Sequence, residues 1–118
     1  MTDFETLELI GNHDPKVREM IVGVCSRLQG MLLEKGSRYG NSALTKPILI
    51  PSLTPGQNIM GRASDKIARI AALNTGRATE TADETLQDTV LDLAGYCVLW
   101  VVARMLADAE RAAAETEA

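Results

Sequence analysis

The chain has 118 residues, enough for one core and too few for two domains. Hydrophobic residues make up 46% of it and aromatics only 3%, so the packing falls to Leu, Ile, Val, Ala and Met; that composition favours helices over sheets. The net charge of −4 disfavours duplex DNA as the main partner, because counterion release needs a broad basic face.

The charge is unevenly spread. Residues 35–77 carry seven basic groups against one acid, whereas residues 1–34 sum to −3 and residues 78–118 to −7. Either the basic middle neutralises the acidic flanks across packed helices, or it holds phosphate while carboxylates hold a divalent cation. Cys25 and Cys97 stand 72 residues apart in apolar surroundings, without a C-x-x-C pair or a nearby histidine. They are expected to be free and buried in a reducing compartment. The acidic opening MTDFETLELIGNHD is unlike a signal peptide, and the longest unbroken apolar run, residues 96–103, falls far short of the ~20 residues that span a bilayer. A cytoplasmic location without membrane attachment is expected.

In chain order, residues 1–14 form an N-terminal arm in which His13 is a surface residue. The first helix opens with Asp14 as N-cap and Pro15 at its first position. Val17, Met20, Ile21, Val24, Leu28, Met31 and Leu32 follow at helical spacing, and Gly36 is placed as the stop, giving a helix over residues 15–35. Residues 36–58, rich in Gly and Pro, read as a long central loop whose apolar PILIP stretch docks on the core. A second helix over residues 58–74 turns Ile59, Ala63, Ile67, Ile70 and Ala71 inward and Arg62, Asp65, Lys66 and Arg69 outward, ending at Asn74-Thr75-Gly76. A third helix opens on Thr81 and Glu84 in capping-box spacing and runs to about residue 114. It is apolar almost all round over residues 91–106, as a buried central element would be, and its tail, residues 108–118, is expected to fray. The fold class is all-α: one small helical bundle over residues 1–118, with a long central loop and a long, largely buried C-terminal helix.

The candidate chemistry lies in Glu84, Asp88 and Asp92, spaced i, i+4, i+8 in ETLQDTVLD. On a helix such carboxylates form one stripe that repels itself unless a cation faces it. Asp92 stands next to an apolar run and should meet either a metal or a basic side chain. The alternatives are Mg²⁺ or Mn²⁺ together with a phosphorylated ligand, or ion pairs from Asp88 and Asp92 to Lys66 and Arg69. A second cluster, EKGSRYGNSAL over residues 34–44, offers Lys35, Arg38, Asn41 and Ser42 as phosphate donors and Tyr39 for a base or sugar; the alternative is a helix stop with Tyr39 capping the core.

Three elements occur in order: K-x-x-x-Y-G at Lys35–Gly40, D-K-x-x-R at Asp65–Arg69 and D-T-x-x-D-L-x-x-Y at Asp88–Tyr96. Over about residues 31–103 they resemble the phage and bacterial family called nucleotide modification associated domain type 1. Relatives often have an acidic or Asn-Asp pair where Ser37 and Arg38 stand here. The chain is more distantly similar to all-α nucleotide pyrophosphohydrolases of the MazG and dimeric dUTPase type, which hold magnesium on acidic pairs of neighbouring helices. The resemblance implies phage-type nucleotide metabolism in the host cytoplasm, as a Mg-dependent nucleotide (pyro)phosphohydrolase. There Glu84, Asp88 and Asp92 would be the catalytic and metal-holding residues, and Glu34 or Asp65 would partly replace a second acidic pair. Lys35, Arg38, Tyr39, Lys66 and Arg69 would bind the nucleotide. The alternatives are a non-catalytic nucleotide-binding or adaptor module linked to DNA base modification, and a helical interaction protein. Since three helices rarely cover an all-round apolar rod, a homodimer or higher even oligomer about a twofold axis is expected.

Overall fold

The computed structural model describes residues 14–117. His13 and the expected N-terminal arm, Asp14 excepted, lie outside the described residues. Among these the chain is all-helical: α1 (Pro15–Tyr39), a 3₁₀ turn (Ser42–Leu44), α2 (Pro55–Asn74) and α3 (Leu86–Glu117), with no strand. Contacts divide the chain into two units, residues 1–33 and 34–118.

In the first unit, Asp14 caps α1 as its sequence indicates. Its Oδ1 accepts from the backbone N–H groups of Lys16, at 2.9 Å, and Val17, at 3.2 Å. No residue of α1 is buried: Val17, Met20, Ile21 and Val24 are exposed, while Leu28, Met31 and Leu32 are half-buried. Cys25 is likewise a free, exposed thiol, contrary to the burial expected of it.

The second unit begins with the last turns of α1, which run beyond the expected stop at Gly36. The terminating glycine is Gly40, at φ +61°, followed by Asn41 at φ +56°, whose N–H donates to the Gly36 carbonyl at 3.0 Å. That six-to-one bond is the Schellman end of a helix, with Gly40 in the left-handed position. Gly36 keeps the fold-back open, because a Cβ there would stand 2.5 Å from Asn41 Oδ1.

The expected loop to residue 58 is shorter at its far end. Thr54 Oγ1 accepts from Gln57 N–H at 3.1 Å and Gln57 Oε1 accepts from Thr54 N–H at 2.9 Å, with Pro55 at the first helical position. Thr-Pro-Gly-Gln is therefore a helix start. Ile48 is 94% and Leu49 93% exposed, so the PILIP stretch does not dock on the core; Pro47 and Pro51 lie outside any helix. What packs on α2 and α3 is the 3₁₀ turn through Leu44.

Helices α2 and α3 form an antiparallel hairpin, with Gly56 beside the Trp100 indole, Lys66 beside Asp92 and Arg69 beside Glu84. Its buried centre is Ile59, Ala63, Thr89 and Gly95. Ile59 is 1% and Ala63 8% exposed. Burying a side chain such as that of Ile59 contributes about 1.5–3 kcal/mol.

Only one face of α3 is covered. Val90, Val98, Val101 and Met105 on the other are exposed, as is the free thiol of Cys97, so the helix is half-covered instead of largely buried. Nor does its tail end at residue 114: helix continues to Glu117, with Asp108 paired to Arg104 and Arg111 on neighbouring turns. By length and composition α3 also qualifies to cross a membrane, with a mean hydropathy of 1.7 over its most apolar 18 residues. The unbroken run of residues 96–103 understates this, because only Gly95 and the single charges Asp92 and Arg104 interrupt a longer apolar stretch.

Candidate functional site

Three segments far apart in sequence meet at Asp92. The carboxylate lies in the second turn of α3, with Lys66 Nζ of α2 at 3.3 Å from Oδ2 and Lys35 Nζ, from the end of α1, at 3.9 Å from Oδ1. The Lys66 and Asp92 side chains are each 26% exposed, so both are partly desolvated while still reachable from solvent. One turn further along α2, Arg69 Nε stands 3.7 Å from Glu84 Oε1. Three cations thus face two carboxylates, and one positive charge is in excess over these five groups.

The expected carboxylate stripe is only partly formed. Glu84 precedes α3 and lies in a turn closed by its N–H donating to Thr81 Oγ1 at 3.0 Å. The helix start is one T-x-x-[DE] unit later. Thr85 N–H and Oγ1 donate to Asp88 Oδ2 at 3.1 and 2.9 Å, and Asp88 N–H donates back to Thr85 Oγ1 at 3.1 Å. Asp88 therefore completes a capping box. Thr89, wholly buried, sends its hydroxyl to the Thr85 carbonyl at 3.0 Å. Among the described residues no three Asp, Glu, His or Cys side chains are close enough together to hold a metal ion. As arranged here Glu84, Asp88 and Asp92 have separate protein partners and do not form a three-carboxylate cradle.

Of the remaining expected residues, Arg38 bonds Glu34 at 3.1 Å along the exposed side of α1. Tyr39 is 60% exposed instead of capping the core, because Gly40 turns the chain away immediately after it. Asp65 is exposed on α2.

One contributor went unremarked in the sequence. Asn58 stands four residues before Arg62 and eight before Lys66, so Asn58, Arg62, Lys66 and Arg69 form one row of donors along α2. Asn58 Nδ2 is buried without a hydrogen-bond acceptor, whereas Arg69 Nε, also buried, has the Glu84 carboxylate at 3.7 Å, beyond hydrogen-bond distance. Buried polar atoms are almost always satisfied, so an acceptor-bearing ligand is one physical answer to the Asn58 amide. At the N-terminal end of α2, the end that carries Asn58 and not Lys66, a groove of about 520 Å³ is lined by Leu44, Pro55, Met60, Trp100, Ala103 and Leu106. It is mostly apolar, with Gln57, Arg104 and Glu110 at its lining, and lies away from Lys66 and Asp92.

No protein-family model, curated protein or solved structure matches this chain.

Proposed function

We propose that the chain binds a phosphorylated nucleotide at the cluster of Lys35, Lys66, Arg69 and Asp92, in the setting of phage-type nucleotide metabolism or base modification that its three sequence elements suggest. One observation carries the reading: Lys35, Lys66 and Asp92, one from each element, meet within ion-pair distance although 57 positions separate the first from the last.

A phosphate entering here takes the two lysines as partners in place of Asp92, in charge-assisted bonds, with Arg69 one turn further along α2 as a third cation. Tyr39, exposed a turn beyond Lys35, presents a ring face to the base. A divalent cation delivered with the nucleotide would supply charge neutralisation and water activation, which is what (pyro)phosphohydrolysis needs. Because the carboxylates do not form its cradle as they stand, the binding reading is the one the geometry supports and hydrolysis is its extension.

A nucleotide panel decides between them. Canonical and modified nucleoside triphosphates are expected to raise the melting temperature in EDTA as well as in Mg²⁺, since a ligand selective for the folded state must stabilise it. Release of phosphate or pyrophosphate in Mg²⁺ or Mn²⁺ would add catalysis. If no nucleotide shifts the melting temperature and none is hydrolysed, the charges only join helices. The chain is then a helical interaction protein, a reading favoured independently by the exposed apolar side chains on α1 and α3.

A further inference from the structure

Among the donors along α2, Arg62 stands apart. It is half-buried, yet among the described residues its guanidinium has no ion pair and no hydrogen bond, whereas Lys66 faces Asp92 and Arg69 faces Glu84. The cause lies in the sequence. In the antiparallel hairpin, a step from Lys66 towards the start of α2 is a step from Asp92 along α3 towards Trp100. Over that length α3 carries no acid between Asp92 and Asp108, and residues 35–64 contain none at all. Asp65, next to Lys66 in sequence, is exposed and makes no ion pair among the described residues. One turn beyond Arg62 in the same row, the Asn58 amide is buried without an acceptor. Partly desolvated cations and buried donors are normally matched, so this stretch of α2 has donor capacity that the second unit leaves unused.

We propose, resting on the nucleotide reading above, that the phosphate site continues from Lys66 to Arg62 and that its ligand is a nucleoside di- or triphosphate in preference to a monophosphate. Arg62 precedes Lys66 by four residues, so both lie on one side of α2, about 6 Å apart along its axis. With one phosphate between Lys35 and Lys66, the next along the same chain comes within reach of the Arg62 guanidinium, whose planar fork matches two phosphate oxygens. The positions differ in what a phosphate displaces. At Lys66 it competes with Asp92, and at Arg69 with Glu84. At Arg62 it displaces no carboxylate, so the second phosphate contributes its full gain and affinity rises with the number of phosphates.

Titration calorimetry of the intact chain in EDTA, with the mono-, di- and triphosphates of the four DNA nucleosides, tests this. For a nucleoside that binds, the di- or triphosphate is expected to bind at least about tenfold more tightly than the monophosphate. Arg62→Gln should remove most of that ratio while leaving monophosphate affinity within about twofold, with unchanged helical circular dichroism. Arg62→Lys, which keeps the charge without the fork, should retain part of the ratio. Lys46→Met removes one positive charge from the exposed loop and should leave the ratio as it is, which separates a site at Arg62 from an effect of net charge. The same ratio in R62Q as in the unchanged protein would overturn the inference; monophosphate binding that still needs Lys66 would then leave the nucleotide reading standing without it. Loss of monophosphate binding in a folded R62Q would also overturn it, because Arg62 would then hold the first phosphate. If no phosphorylated nucleoside binds, the nucleotide reading falls and the Arg62 subsite falls with it.

Discussion

Lys66 and Asp92 face each other at 3.3 Å, with a second lysine, Lys35, 3.9 Å from the other carboxylate oxygen. Asp92 is shared between a helix end and a helix middle, so its removal frees two cations at once. Under the binding reading, Asp92→Asn should leave nucleotide affinity in EDTA unchanged or improved, because the phosphate no longer competes with a carboxylate for the lysines. If the carboxylate instead holds a cation, the same change abolishes Mg²⁺-dependent turnover. Titration calorimetry in EDTA and a phosphate-release assay on one preparation separate the two.

Lys66→Met keeps most of the aliphatic stem and removes the charge. We expect nucleotide affinity to fall at least about tenfold, equivalent to ~1.4 kcal/mol, with a weaker dependence of the remaining affinity on salt. Stability should fall by only about 1 kcal/mol, since the pair is partly solvated and Lys35 still faces Asp92. Equal affinities for both proteins would remove Lys66 from the site.

The α3 start offers a sharper contrast. Thr81 and Thr85 each begin a T-x-x-[DE] unit, but only Thr85 exchanges bonds with a carboxylate three residues on. Thr85→Ala should destabilise the fold by about 1 kcal/mol or more through loss of the cap. Thr81→Ala, which loses one bond in an exposed turn, should cost less. Urea denaturation of both variants settles the order; a larger loss at Thr81 would return the helix start to residue 81.

These two threonines also show how far the sequence could be read. Composition and the spacing of Val17 to Leu32 and Ile59 to Ala71 were sufficient for three helices, because apolar periodicity survives whatever the tertiary packing. Boundaries depended on which of two equivalent local signals wins. At Gly36 and Gly40, and at Thr81 and Thr85, that choice is made by backbone bonds such as Asn41 N–H to Gly36 and is not encoded in residue type alone. Burial was less legible still. An all-round apolar helix says nothing of which face its neighbour takes, so apolar character alone predicts burial for Cys97, Ile48 and Leu49, all of which are exposed. The meeting of Lys66 with Asp92 is legible as one of two alternatives; the unsatisfied Asn58 amide follows from packing that no residue pattern marks.

The difference between the core and the exposed loop is measurable. Ile59→Ala removes a side chain that is 1% exposed and should cost about 2–5 kcal/mol, a large share of the stability of so small a core. Leu49→Ser, at a side chain 93% exposed, should change stability by less than about 0.5 kcal/mol. A substantial loss at Leu49 would show that the loop is covered in solution.

The last test concerns how α1 delivers Lys35. Gly40 ends the helix at φ +61°, where an L side chain is strained by about 1–2 kcal/mol. Gly40→Ala should therefore destabilise the Schellman end by about that amount. Gly40→Asn, a residue that tolerates the left-handed region, should restore much of the loss. Lys35 lies little more than a turn before that glycine, and its 3.9 Å approach to Asp92 is the longer of the two lysine contacts. Loosening the helix end should thus weaken nucleotide binding in the Ala variant and recover it in the Asn variant, with the Lys66 contact intact in both. Calorimetry on the three proteins reads this directly. If stability follows the expected order while affinity stays constant, Lys35 takes no part in holding the phosphate and the site contracts to Lys66 and Arg69.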